Sequence, residues 1–120
     1  MQLDHFTIVS PDIERLRRFF VDVAGLVDGP RPAFGIAGHW LYLGEQAVLH
    51  LVAGERGAAA CGPTRIDHVA LRVGSSAEWD ALLGRLERSG TPYQTGSIDA
   101  LGRRQLFVAL APGTTVEFVI

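Results

Sequence analysis

The chain predicts an α+β fold of two tandem β-α-β-β-β modules, and three observations lead there. A weak internal repeat relates the two halves. Each half opens with a strand-like segment that runs into an amphipathic helical pattern. Each half then closes on further short segments of strand character.

The repeat is carried by two pairs of segments. Leu3-Asp4-His5-Phe6-Thr7-Ile8 matches Ile66-Asp67-His68-Val69-Ala70-Leu71, sixty-three residues later. Val48-Leu49-His50-Leu51-Val52 matches Thr115-Val116-Glu117-Phe118-Val119, sixty-seven residues later. The first helix is expected over about Pro11 to Ala24, with Ser10 as N-cap and Pro11 at the first helical position. Ile13, Leu16, Phe20 and Val23 form its apolar stripe, and Gly25 stops it. The second is expected over Ser76 to Ser89. Ser75 and Glu78 have capping-box spacing, Trp79, Leu82, Leu83 and Leu86 form the stripe, and Gly90 ends it. Strands are expected near 2-9, 31-36, 39-44, 46-53, 65-73, 92-98, 103-110 and 114-119. One domain over 1-120 follows, with module one at 1-53, a linker at 54-64 and module two at 65-120.

Composition bounds the function. Hydrophobic residues make up 48% and charged residues 20%, enough apolar material for a packed core. The formal net charge of −2 gives no general attraction to nucleic acid or an acidic membrane, and the basic residues form no stripe with interleaved aromatics. All eleven basic residues are Arg, which reads as coding bias. The single Cys61 has no partner for an intrachain disulfide, which fits a reducing compartment. The first residues have no basic segment followed by a long apolar run, so a soluble cytoplasmic protein is expected. No nucleophile constellation and no phosphate loop stands out.

Alternation along strands gives the sharpest clue. Phe6 and Ile8, Leu49 and Leu51, Val69 and Leu71, and Val116 and Phe118 each make an apolar face. The opposite faces carry His5, His50, His68 and Glu117. A curved mixed sheet would gather those four side chains in a cup. A carboxylate buried there without compensation is costly, and a metal ion would relieve it. Three imidazoles and one carboxylate suit Zn, Fe(II), Ni, Co or Mn better than Ca or Mg. Taken singly, each reads more readily as a satisfied core or surface histidine or a solvated carboxylate.

At these residues the sequence resembles the vicinal oxygen chelate superfamily, which includes glyoxalase I, bleomycin-resistance proteins and extradiol dioxygenases. The resemblance runs through Asp4-His5, Gly25-Leu26, Trp40-Leu41, Val48 to Leu51, Ile66 to Ala70, Arg104 to Val108, Pro112-Gly113 and Val116 to Phe118. Near the end the family commonly has Asp-Pro-x-Gly, and here Ala111 stands in the Asp position. The resemblance implies metal ligands from the first and fourth strands of each module: His5, His50, His68 and Glu117. It implies a homodimer and a small substrate that chelates one divalent ion through two neighbouring oxygens.

Three functions stay open at this point. The first is a glyoxalase-like lyase or isomerase in which Glu117 or His50 moves a proton. Glyoxalase I usually has Glu where His50 stands, which puts its own mechanism in doubt here. The second is an extradiol-type ring-cleaving dioxygenase, whose two His and one Glu match His5, His68 and Glu117. The third is a non-catalytic small-molecule or antibiotic-binding protein. Substrate contacts are expected from Trp40, Tyr42, Arg72, Arg103 and Phe107. The alternatives for these are a core or dimer-interface role for the aromatics and a solvated one for the arginines. His39 is expected to be exposed.

Overall fold

The structure is a computed structural model that describes residues 1-54 and 63-120. Cys61 and most of the linker at 54-64 lie outside the described residues. Eight strands and two helices make up two β-α-β-β-β modules of an α+β fold. Among the described residues no helix is long and apolar enough to cross a membrane. The chain divides into two compact units, His5–Asp67 and Met1–Asp4 with His68–Ile120. The division falls inside the first strand.

The first module is β1 (Gln2–Ser10), α1 (Ile13–Arg18), β2 (Val27–Gly29), β3 (Gly38–Leu43) and β4 (Gln46–Ala53). β1 pairs parallel with β4, β4 antiparallel with β3, and β3 antiparallel with β2. Leu41, Leu49 and Leu51 are fully buried, with Phe6, Ile8, Ile13, Leu16 and Phe20 packed against them. The alternation argument therefore holds for β1 and β4: their apolar face is the one that α1 covers.

Four details of this module depart from expectation. Asp12, not Ser10, caps α1, and its carboxylate accepts from the Arg15 N–H at 3.1 Å. Ser10 Oγ instead accepts from the Asp12 N–H at 3.1 Å and bonds the Thr64 hydroxyl at 2.8 Å. Secondly, α1 runs on as a π-helical turn, Phe19–Val23, closed by Ala24 N–H on Phe19 C=O at 3.1 Å. The wider turn breaks the 3.6-residue period. Val21 packs on the core and Val23, assigned to the stripe, is exposed.

Thirdly, segment 31-36 is not a strand, and the short strand lies at Val27–Gly29 instead. Pro30 and Pro32 remove two ladder donors on either side of Arg31, and Gly35 has φ +71°. Tyr42 closes the base of this loop. Its hydroxyl donates to the Pro30 carbonyl at 2.6 Å, and its ring lies where a side chain at Gly29 would have to go. His39 is partly buried, against expectation. It sits between Asp28 and Glu14, with ring nitrogens 2.9 and 2.8 Å from their carboxylates.

The second module is β5 (Arg65–Arg72), α2 (Ser76–Ser89), β6 (Gln94–Ile98), β7 (Arg103–Ala111) and β8 (Thr114–Val119). It repeats the same pairing: β5 parallel with β8, β8 antiparallel with β7, and β7 antiparallel with β6. Ser75 caps α2 as expected, accepting from the Glu78 N–H at 3.2 Å, while the Glu78 carboxylate reaches the Gly74 N–H at 2.7 Å. Gly90, at φ +64°, ends the helix in the left-handed conformation. Trp79 and Leu82 are buried with Val73, Leu106 and Val108, and Leu83, Leu86 and Phe118 pack around them. Val69 is the exception to the apolar-face argument, since it is exposed and not under α2.

Two predictions follow from this packing. Leu82→Ala should lower the unfolding free energy by about 2–5 kcal/mol, read from urea melts. The second concerns Glu14, whose carboxyl is held below its ordinary value of 4.5 by the hydrogen bond to Arg17 first and that to His39 second. The unfolded chain therefore binds this proton more tightly. The contribution is complete above the ordinary value and fades as pH falls through the lowered one. Wild type should exceed Glu14→Gln in denaturant midpoint at neutral pH, and the gap should close as pH falls well below 4.5.

Candidate metal centre

The parallel pairing of first and last strand in each module decides which side chains meet. β5 lies beside β8, with Ala70 opposite Glu117 and His68 opposite Thr115. Glu117 also faces Phe107 on β7. The result is a carboxylate only 2% exposed whose Oε2 is 3.2 Å from His68 Nε2. Its other oxygen, Oε1, accepts from Gln105 Nε2 at 2.5 Å. A neutral amide thus fixes the carboxylate plane. The Phe107 ring stands edge-on to His68 at 6.5 Å.

In the His5–Asp67 unit the same topology brings aromatic rings together. Trp40 on β3 is the register partner of His50 on β4, and their rings stack at 4.2 Å and 6°. His50 also stacks on His5 of β1 at 3.8 Å and 27°. His5 and Trp40 are both buried.

An imidazole and a carboxylate are donors that first-row divalent ions take, so the His68–Glu117 pair, 3.2 Å apart, fits such an ion. His5 and His50, the other expected ligands, lie in the His5–Asp67 unit. Imidazole lone pairs lie in the ring plane, and His50 presents ring faces to Trp40 and His5.

The expected substrate residues have mixed surroundings. Arg72 and Arg103 turn onto Asp4, a residue that sequence reasoning passed over and that is 3% exposed. Arg72 Nε donates to Asp4 Oδ1 at 2.5 Å, its Nη2 pairs with the same oxygen, and Arg103 Nη1 is 4.0 Å from Oδ2. One buried carboxylate shared by two guanidinium groups leaves a positive surplus. Only the repeated Asp-His pair, Asp4-His5 and Asp67-His68, signalled Asp4 in the sequence. Gln105 was legible as a strand neighbour of Phe107, without a partner. Tyr42 spends its hydroxyl on Pro30, while Trp40 and Phe107 stand beside histidines.

Several solved structures share this fold. Methylmalonyl-CoA epimerase from Mycobacterium tuberculosis is 22% identical, with a TM-score of 0.74 over 98% of this chain and 86% of that one. Homoprotocatechuate 2,3-dioxygenase from Arthrobacter globiformis is 24% identical, with a TM-score of 0.73 over 98% of this chain and 35% of that one. Catechol 2,3-dioxygenase is 16% identical, with a TM-score of 0.74 over 98% and 38%. The chain thus spans little more than a third of the dioxygenases' length. At 16–24% identity these likenesses show a shared fold. No family model matches the sequence, and no curated protein matches it.

If Gln105 fixes the ligand carboxylate, Gln105→Leu should weaken Zn binding about 10–100-fold, and Glu117→Ala should weaken it further. His39→Gln should leave it unchanged. Competition against a chromophoric chelator reads all three.

Proposed function

We propose that the protein is a metal-dependent lyase or isomerase acting on a small substrate that presents two neighbouring oxygens. The observation that carries the reading is the buried Glu117 carboxylate, held 3.2 Å from the His68 imidazole. These two, together with His5, would hold the ion, which when bound would favour negative charge on the substrate oxygens. Gln105 keeps Glu117 oriented. Burial of His5 and Glu117 keeps bulk water from these donors. His50 stacks on His5 without belonging to the ligand group, which suits it to carry a proton at a ring nitrogen. Assembly as a homodimer belongs to the same proposal.

A second reading, a ring-cleaving dioxygenase, is favoured by one observation: two His and one carboxylate are the donors of non-haem Fe(II) oxygenases. The two are separated by loading the protein with Ni, Zn, Co, Mn or Fe(II). Each form is then offered the methylglyoxal–glutathione hemithioacetal and, under controlled oxygen, a panel of catechols. We expect metal-dependent isomerisation, lost in Glu117→Ala and lowered about 10²–10⁴-fold in His50→Gln. Oxygen uptake with coloured ring-opened product would instead establish the second reading. Ligand binding indifferent to chelators, with no turnover of either class, would remove both in favour of a binding protein.

A further inference from the structure

The second module holds a cavity of about 340 Å³ lined by Pro92, Tyr93, Gln94, Phe107, Ala109 and Thr115. Strand register sets its floor. Thr115 on β8 lies between His68 on β5 and Ala109 on β7, and Phe107 lies between Glu117 on β8 and Gln94 on β6. Register partners share a sheet face, so these side chains rise on the same side as the His68–Glu117 pair. Small side chains make the hollow, because Thr115 and Ala109 stand beside the larger His68 and Phe107. The β7 ladder also slips between Ala109 and Ala111, a bulge that bends the strand at this end.

The cavity adjoins a charged pair and is itself uncharged. The Phe107 ring, one of its walls, stands edge-on to His68 at 6.5 Å. No Asp, Glu, Arg, Lys or His lines it. The guanidinium groups on this face, Arg72 and Arg103, stand toward the other end of β5 and β7 and are turned onto Asp4. A charged group entering the cavity would lose hydration without gaining a counter-charge. An apolar group would instead lie against Phe107, Pro92 and Ala109. The volume is at the small end of ligand sites, with room for a side group and not for an extended cofactor.

We propose that this cavity receives an uncharged apolar substituent carried beside the two chelating oxygens of the substrate, and that Ala109 sets how large that group can be. The substrate class is thus narrowed to molecules with an alkyl or aryl group at this end. This assignment rests on the metal reading above. Ala109 is exposed, so a larger side chain there disturbs no core.

The probes are catechol, 4-ethylcatechol and 3,4-dihydroxyphenylacetate, titrated calorimetrically into Zn-loaded and chelator-treated protein. The last two share a methylene and differ only in the methyl or carboxylate beyond it. Wild type should bind 4-ethylcatechol about tenfold more tightly than catechol, the gain expected for burying an ethyl group, and should not favour the carboxylated probe. Ala109→Ile should erase the ethyl preference while leaving catechol and Zn affinity unchanged, which also certifies its fold. The pocket is overturned by an ethyl preference that is absent from wild type or intact in Ala109→Ile. Tighter binding of the carboxylated probe than of 4-ethylcatechol, or no binding of any probe, overturns it too. A preference erased by Ala109→Ile but indifferent to chelator upholds the pocket and sinks the metal reading. Metal-dependent binding of catechol with no ethyl preference does the reverse.

Discussion

A carboxylate held almost out of reach of water is the constraint around which the second module is arranged. Glu117 has one oxygen on the Gln105 amide and the other toward the His68 imidazole. Burying an ionised carboxylate is unfavourable unless its charge and lone pairs are met. Here the amide answers one side, and the other side is left to a cationic partner, either a protonated imidazole or an ion held with it. The strand pairing that allows this is the parallel contact of β5 and β8, which sets a first strand beside a last one.

The same pairing explains why one motif does different work in the two halves. β1 lies beside β4 as β5 lies beside β8, so the His50 position corresponds to that of Glu117. In one half the last strand delivers a carboxylate to a histidine edge. In the other it delivers an imidazole that stacks face to face with His5 and Trp40. The two modules thus share a pairing pattern while their equivalent positions differ, one holding charge and one stacking rings.

The parts of this arrangement that were legible in the sequence are those governed by short-range periodicity. The bounds of α2, β4 and β8 follow from a capping serine, a terminal glycine and clean alternation. Parity also puts His5 and His50 on one face in their unit, and His68 and Glu117 on one face in theirs, as their contacts require. Tertiary choices hid the rest. The π-helical turn at Phe19–Val23 leaves no distinctive composition, so the stripe was carried one residue too far. Apolar character at 31-36 outweighed the two prolines that forbid a ladder there. Asp4 was overlooked because its partners, Arg72 and Arg103, are separated from it by most of the chain. His50 has the right parity, but stacking depends on ring rotation, which alternation does not encode.

The distribution of the two indoles has a spectroscopic consequence. Trp40 stacks on His50 in the His5–Asp67 unit, whereas Trp79 is a buried residue of α2 with the Arg104 guanidinium 5.1 Å from its ring centre. Each unit thus carries its own intrinsic fluorophore, in a chemically different cage. A neighbouring imidazole quenches indole emission far more when protonated than when neutral, so the light from Trp40 reports events at the histidine pair. The emission of Trp79 follows the integrity of the helix–sheet core. Two single-tryptophan forms of this one chain would let the melting of each half be watched separately, without attaching any dye.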